Sequence, residues 1–196
     1  MIRITKKPED RKQEILDTSA ELFYTQGYDK TSISDIAKKI GVSQGLCYRY
    51  FSSKEELFSS VLEYYAEMQA KPMISALSEQ DKTLRQKLYG TPTFLDTENP
   101  DTYYYKICHQ ASGKAMHDLV SMKICQKLFP VIKKQLKKAS DQGEIAISDL
   151  EATASFCIYG QLGILLHPDL AGKEKIERIR EFLLNLLGLD TVESTL

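Results

Sequence analysis

The stretch Thr31–Tyr50, TSISDIAKKIGVSQGLCYRY, constrains the fold of this chain more than any other. Its spacing predicts two short helices joined by a tight turn. Ser32 is placed to cap the first helix, with Asp35 three residues on to complete a capping box. Ile33, Ile36, Ala37 and Ile40 recur at helical spacing and give that helix one buried face. Gly41 ends it, because glycine enters the left-handed conformation without a Cβ penalty. Val42 is the apolar plug of the turn, and Ser43 is placed to cap a second helix that offers Gln44, Tyr48, Arg49 and Tyr50. This is the layout of a helix-turn-helix whose second helix reads DNA.

The remainder of the chain bounds what such a motif can serve. At 196 residues there is room for one ordinary domain, or a small and a medium one. A hydrophobic share of 42% with 27% charged residues is that of a globular protein. Met1–Lys12 is too polar for a secretory signal, and the longest apolar run, Ala152–Leu166, is shorter than the roughly 18 residues a membrane span requires. The expected location is the cytoplasm, with no membrane partner. The four cysteines, Cys47, Cys108, Cys125 and Cys157, lack C-x-x-C spacing and read as free thiols. The net charge of −1 hides a split: residues 1–54 hold ten Lys/Arg against seven Asp/Glu, and the rest sixteen against twenty. A modestly basic front end on an acidic body suits a protein that presents one end to phosphates.

Arg3, Lys6, Lys7, Arg11 and Lys12 form a basic lead-in, either a solvated terminus or an arm near the DNA backbone or minor groove. A first helix is predicted over about Glu9–Gln26, with Ile15, Leu16, Ala20, Leu22 and Phe23 inward and Gly27 as its stop. After Phe51, Ser53 and Glu56 read as a second capping box, opening a long helix through Leu57, Phe58, Val61, Leu62 and Tyr65. Lys54 adds a full charge to that helix N-terminus, a good phosphate anchor.

The run from Thr31 to Leu57, T-S-I-S-D-I-A-K-K-I-G-V-S-Q-G-L-C-Y-R-Y-F-S-S-K-E-E-L, resembles the DNA-binding domain of the TetR family of bacterial transcription regulators. The matching features are Thr31, Ile36-Ala37, Gly41-Val42-Ser43, Gly45, Tyr48, Phe51, Lys54 and Leu57, together with the upstream Phe23-x-x-x-Gly27-Tyr28. Leu46 departs from the Thr, Ser or Ala common in the family, and Cys47 from a larger aliphatic or aromatic residue. Cys47 is expected to face the core. Leu46 is expected towards bases, where an apolar side chain favours a thymine methyl.

Downstream, Thr83–Tyr89 is a short amphipathic piece, Thr102–Gln110 is aromatic-rich, and Ala115–Ala139 is a long periodic helix that Pro130 should kink or interrupt. Asp149–Leu166 interleaves small residues with Phe156, Tyr159 and Leu162, and Lys173–Leu187 is apolar nearly all round in its later turns. The expected use of this surplus is a homodimer interface, a four-helix bundle of Ala152, Ser155, Tyr159, Gly163, Ile176, Ile179, Leu183 and Leu187 with their twins. The alternative is a terminal helix buried in its own domain. The fold class expected is all-α: a three-helix helix-turn-helix domain over 1–54, a connecting helix to about 71, and a helical ligand-binding and dimerisation domain over 72–196.

For DNA, Gln44, Leu46 and Arg49 are the candidates for base edges, with Gly45 allowing close approach and Ser43 capping the helix beside them. Thr31, Ser32, Tyr48, Tyr50 and Lys54 are the candidates for phosphates, which position a protein without reading sequence. The resemblance implies a repressor on a pseudo-palindromic duplex operator, released by a small-molecule effector held among the later helices. Phe94, Tyr103, Tyr104, Tyr105, His109, Met116, Met122, Phe156 and Tyr159 are the pocket candidates, with core packing as the competing explanation for each. A DNA-bound adaptor that recruits a protein and senses nothing small is the other functional class. An enclosed cavity of about 300 Å³ or more beneath the long helix separates the two. No cofactor or metal is expected, since Cys108, His109, His117, Cys125 and His167 match no ligand spacing. No catalytic motif occurs, so an enzyme is not expected.

Overall fold

The computed structural model describes residues 6–93, 114–167 and 169–189, and all regular structure among them is helical. In chain order the helices are α1 (Pro8–Gln26), α2 (Ile33–Ile40), α3 (Gln44–Tyr48), α4 (Lys54–Leu77), α5 (Leu84–Gly90), α6 (Lys114–Asp141), α7 (Leu150–Tyr159), α8 (Leu162–Leu165) and α9 (Gly172–Leu187). The described residues group into two compact units, 6–65 with 114–120, and 66–93 with 121–167 and 169–189.

In the first unit α1 starts with Pro8 in its first turn, where a missing N–H costs nothing. It buries Ile15, Leu16, Ala20, Leu22 and Phe23, as its periodicity predicts. Helix α2 turns Ile33, Ile36 and Ala37 inward, and Lys39 pairs with Glu21 of α1 at 2.6 Å. The first turns of α4 add Phe58, which meets Phe23 edge-on at 5.2 Å between ring centroids, with Tyr28 4.7 Å from Phe58. Such aromatic pairs add about 0.5–1.5 kcal/mol beyond the area they bury.

The second unit has its own core of Leu77, Leu84, Leu128, Ile132, Leu136, Ile158, Ile179, Leu183 and Leu187, among others. Two sequence expectations change here. Helix α6 is not interrupted at Pro130: it runs through, with Pro130 and Gln126 both exposed, so water can serve the carbonyl left without a donor. The helix expected over Asp149–Leu166 is instead split into α7 and α8. The Gln161 side-chain amide donates to the Cys157 carbonyl, the acceptor that an unbroken helix would give to the Gln161 backbone N–H.

Candidate nucleic-acid interface

The helix-turn-helix is held by caps at each end of its elements. Ser32 accepts a hydrogen bond from the Asp35 N–H at 3.1 Å, and the Asp35 carboxylate accepts from the Ser32 N–H at 2.9 Å and its hydroxyl at 2.6 Å. The Ser32 hydroxyl bond is the leading reason the Asp35 carboxyl lies below its ordinary pKa, and the Ser32 N–H adds to it. Gly41 closes α2 at φ 78°, and the Val42 N–H then reaches back to the Ala37 carbonyl at 2.9 Å. Ser43 caps α3 by accepting from the Leu46 N–H at 3.3 Å.

A helix of five residues has no stability of its own. Cys47, 1% exposed, fixes α3 to the core as expected, and its carbonyl accepts from the N–H groups of Tyr50 and Phe51. With Cys47 inward, Ser43, Gln44, Gly45, Tyr48 and Arg49 are exposed, and Leu46 and Tyr50 are half-buried. A Cβ built on Gly45 meets nothing within 4 Å, so no neighbour in the protein itself demands glycine there.

The first turn of α1 shares a groove with this surface: Lys6, Pro8 and Arg11 line it together with Gly41, Val42, Ser43, Gly45, Leu46, Arg49 and Tyr50. Lys6 and Arg11 both pair with Glu14, at 2.7 and 2.5 Å. The basic character of the lead-in was legible in sequence, but its meeting with α3 depends on tertiary packing. Arg3 lies outside the described residues.

Lys54 opens α4 with its ammonium 4.2 Å from the centroid of the Tyr28 ring, and the Tyr28 hydroxyl donates to Glu55 at 3.3 Å. The cation is thereby held at the helix start, while its donors stay available to an anion. The capping of α4 differs in detail from the box expected between Ser53 and Glu56. Ser53 does accept from the Glu56 N–H, at 3.0 Å, but the Glu56 carboxylate accepts from the N–H and hydroxyl of Ser52. Those Ser52 bonds hold the Glu56 carboxyl below the ordinary range.

Thr31 does not fit the phosphate role expected of it. It is 1% exposed, and its hydroxyl donates inward to the carbonyls of Gly27 at 2.8 Å and Leu22 at 3.2 Å. It ties the end of α1 to the start of α2, and no side-chain donor is left for DNA.

The candidate pocket residues do not come together. Phe94, Tyr103, Tyr104, Tyr105 and His109 lie outside the described residues. Met116 is buried in the first unit, Met122 and Phe156 are exposed, and Tyr159 is half-buried and stacks on Phe129 at 5.8 Å. None of these lines the apolar cavity of about 140 Å³ in the second unit. That cavity is open to the surface and is built from Met73, Leu77, Leu88, Pro92, Leu128, Ile132, Ile158, Leu165, Ile176, Ile179 and Leu183, with Thr91, Thr93, Gln161 and Arg180 as polar members. The signal that could have found it was the spacing of Ile176, Ile179, Arg180 and Leu183 along α9, opposite Leu128 and Ile132 along α6.

The expected dimer residues also divide. Ile179, Leu183 and Leu187 belong to the core of their own unit, and Ile176 lines the cavity, so these four face inward. Ala152, Ser155 and Tyr159 are half-buried and Gly163 is exposed. The large apolar side chains turned outward are instead Phe156 at 67%, Phe182 at 56% and Leu186 at 45% exposure. Helix α9 is apolar on two sides, and periodicity alone did not say which side its own core would take.

Among the described residues no group of three His, Cys, Asp or Glu side chains could hold a metal ion, and no helix is long and apolar enough to cross a membrane. Burial pushes the Cys125 and Cys157 thiols up to about 11 and raises that of Cys47, so these sulfurs stay protonated and unreactive at neutral pH.

Residues 15–61, which run from the middle of α1 to the early turns of α4, match the family model for bacterial regulatory proteins of the tetR family. The chain is 36% identical over 83 residues to the uncharacterized HTH-type transcriptional regulator YerO of Bacillus subtilis, an alignment covering 42% of this chain and 26% of that protein. The chain spans 19–30% of the length of the first curated relatives it matches. In fold it is similar to GusR of Salmonella enterica, with a TM-score of 0.64 at 19% identity over 95% of this chain and 100% of that one. It is likewise similar to FadR of Bacillus subtilis in complex with stearoyl-CoA, at 0.62 and 19%, over 91% and 99%. Residues 15–61 are thus a helix-turn-helix domain of the tetR-family type, and the chain around it has the all-helical fold of GusR and FadR.

Proposed function

We propose that this regulator binds a pseudo-palindromic DNA operator as a homodimer and represses transcription until a small-molecule effector releases it. The helix-turn-helix domain over 1–54 and the start of α4 would hold the DNA, and the helical domain over 72–196 the effector and the twin subunit. One observation carries the DNA reading: Gly45 and Leu46 of α3, with Ser43 and Arg49 at its two ends, share a groove with Lys6 and Arg11. In this reading Gln44, Leu46 and Arg49 meet base edges, Gly45 lets the backbone come close, and Ser32, Tyr48, Tyr50 and Lys54 meet phosphates. The twin subunit would cover Phe156, Phe182 and Leu186 and set the spacing of the two reading helices.

The effector would occupy the cavity of about 140 Å³ between α6 and α9. A dry apolar cavity of about 150 Å³ takes up benzene, so the space suits a ring or short chain of that size. FadR, a protein of the same fold, was solved with stearoyl-CoA. The adaptor reading rests on this cavity being smaller than a pocket of about 300 Å³. The two readings differ in whether any small molecule shifts the DNA equilibrium, which it does only by binding the two states unequally.

The test is selection of bound sequences from a random duplex pool, followed by screening for compounds that release the selected site. On that site Lys54→Ala should weaken all sequences alike and lower the salt slope by about 1, whereas Arg49→Ala should relax base preference. If Arg49→Ala left affinity and preference unchanged, the assignment of α3 as the reading helix would be wrong.

A further inference from the structure

Among the described residues Lys87 of α5 is the one charged side chain that is buried, at 3% exposure. No carboxylate pairs with it. Its ammonium donates to the Gln135 side-chain oxygen at 2.6 Å, and its other N–H bonds have no described acceptor. An isolated cation in such a place is costly unless something negative meets it. The surroundings make the deficit worse, because Lys82 and Lys138 line the same small polar hollow. Its one acidic member, Glu144, already accepts from the Arg85 N–H at 3.3 Å. Lys82 is offset by Glu79 at 2.8 Å, outside the hollow, and the Lys138 ammonium reaches only the neutral oxygens of Gln80, at 3.4 and 3.5 Å. Burial first, then the charge of Lys138, lowers the Lys87 pKa, and the nearby carboxylates of Glu144 and Glu79 offset this only in part.

Neither the DNA-facing groove nor the apolar cavity includes Lys87, and a core position between Leu84 and Leu88 would ordinarily take an apolar residue. The hollow offers about 10 Å³, room for one oxygen-sized atom.

We propose that this hollow is an oxyanion site of the phosphate class: one oxygen enters to meet the Lys87 ammonium, and Lys82 and Lys138 hold the remainder at the rim. Free inorganic phosphate and the phosphoryl group of an organic ester share this chemistry. The site is independent of the operator and effector assignments, and its test involves no DNA.

The experiment follows thermal unfolding of the full chain in sodium phosphate, in glycerol phosphate and in sodium chloride at matched ionic strength. The unfolding temperature should rise with the logarithm of phosphate concentration and not respond to chloride. Stabilisation by inorganic phosphate alone assigns the free ion, and stabilisation by both phosphates assigns the phosphoryl group; either result supports the site. Lys87→Met keeps the side-chain length and removes a buried charge; it should fold and lower phosphate affinity at least tenfold, while the exposed-lysine control Lys71→Ala keeps it. The nitrogen resonance of the Lys87 ammonium should titrate at higher pH in phosphate than in chloride. Should Lys87→Met fail to fold, the Lys82→Ala/Lys138→Ala pair takes its place with the same expected loss. Equal responses to phosphate and chloride, or a full phosphate response in the variant, overturns the proposal.

Discussion

Replacing Thr31 with valine separates two roles for a residue that sits at the start of the DNA-binding motif. The change is nearly isosteric and keeps a β-branched side chain, so it opens no cavity and keeps the χ1 preference of the site. What it removes is a hydroxyl that donates to Gly27 and Leu22 carbonyls in a site 1% exposed. The lost hydrogen bond is worth about 1 kcal/mol net, and leaving a buried carbonyl without its donor raises the total to about 1–3 kcal/mol. For a chain of this size each 1 kcal/mol corresponds to about 2–4 °C in unfolding temperature. The chain has no tryptophan, so helix content by far-ultraviolet circular dichroism is the natural signal for denaturation. Operator affinity is measured in parallel, well below the transition. The expected outcome is a destabilised protein whose folded fraction binds DNA with unchanged affinity. Unaltered stability with weakened DNA binding would refute the structural role argued for Thr31 and restore it to the phosphate contacts.

The two sides of α9 give a paired expectation. Leu183→Ala removes a core side chain and should cost about 2–5 kcal/mol, whereas Phe182→Ala should change the stability of the isolated protomer by under about 0.5 kcal/mol. Phe182→Ala should instead weaken self-association in sedimentation, and a self-association constant untouched by it would remove this face from the interface. Acid should loosen the helix starts, since Asp35 and Glu56 are held below their unfolded pKa values by Ser32 and Ser52. Their contribution is present above the unfolded carboxylate range and is lost as pH falls through the lowered folded values. Stability measured against pH should therefore drop in acid more steeply in the wild type than in Asp35→Asn/Glu56→Gln, and parallel curves would count against these caps.

Local signals carried the motif well. Caps, a left-handed glycine and a short hydrophobic period are written within three or four residues of one another, and Ser32, Asp35, Gly41 and Ser43 behave as that spacing predicts. Cys47 was legible as core for the same reason. What failed was choice among faces and long-range partners. Thr31 looked like a polar residue available to DNA because its acceptors, Leu22 and Gly27, lie in a different helix and turn. Ile179, Leu183 and Leu187 looked like surplus because the core that absorbs them is gathered from α4, α5, α6 and α7. The helix break at Gln161 depended on a side chain competing with its own backbone, which periodicity does not register. The cavity-lining residues are ordinary core types whose convergence only tertiary packing decides.

The empty space around Gly45 has a consequence for anyone who would improve this protein. In the first turn of α3, alanine would fit without meeting a neighbour and would reduce backbone entropy in the unfolded chain, a gain of up to about 1 kcal/mol. A stability screen, a consensus calculation blind to function, or a thermal selection without DNA would all converge on removing that glycine. Each would return a sturdier molecule carrying a methyl group on the surface proposed to approach the bases most closely.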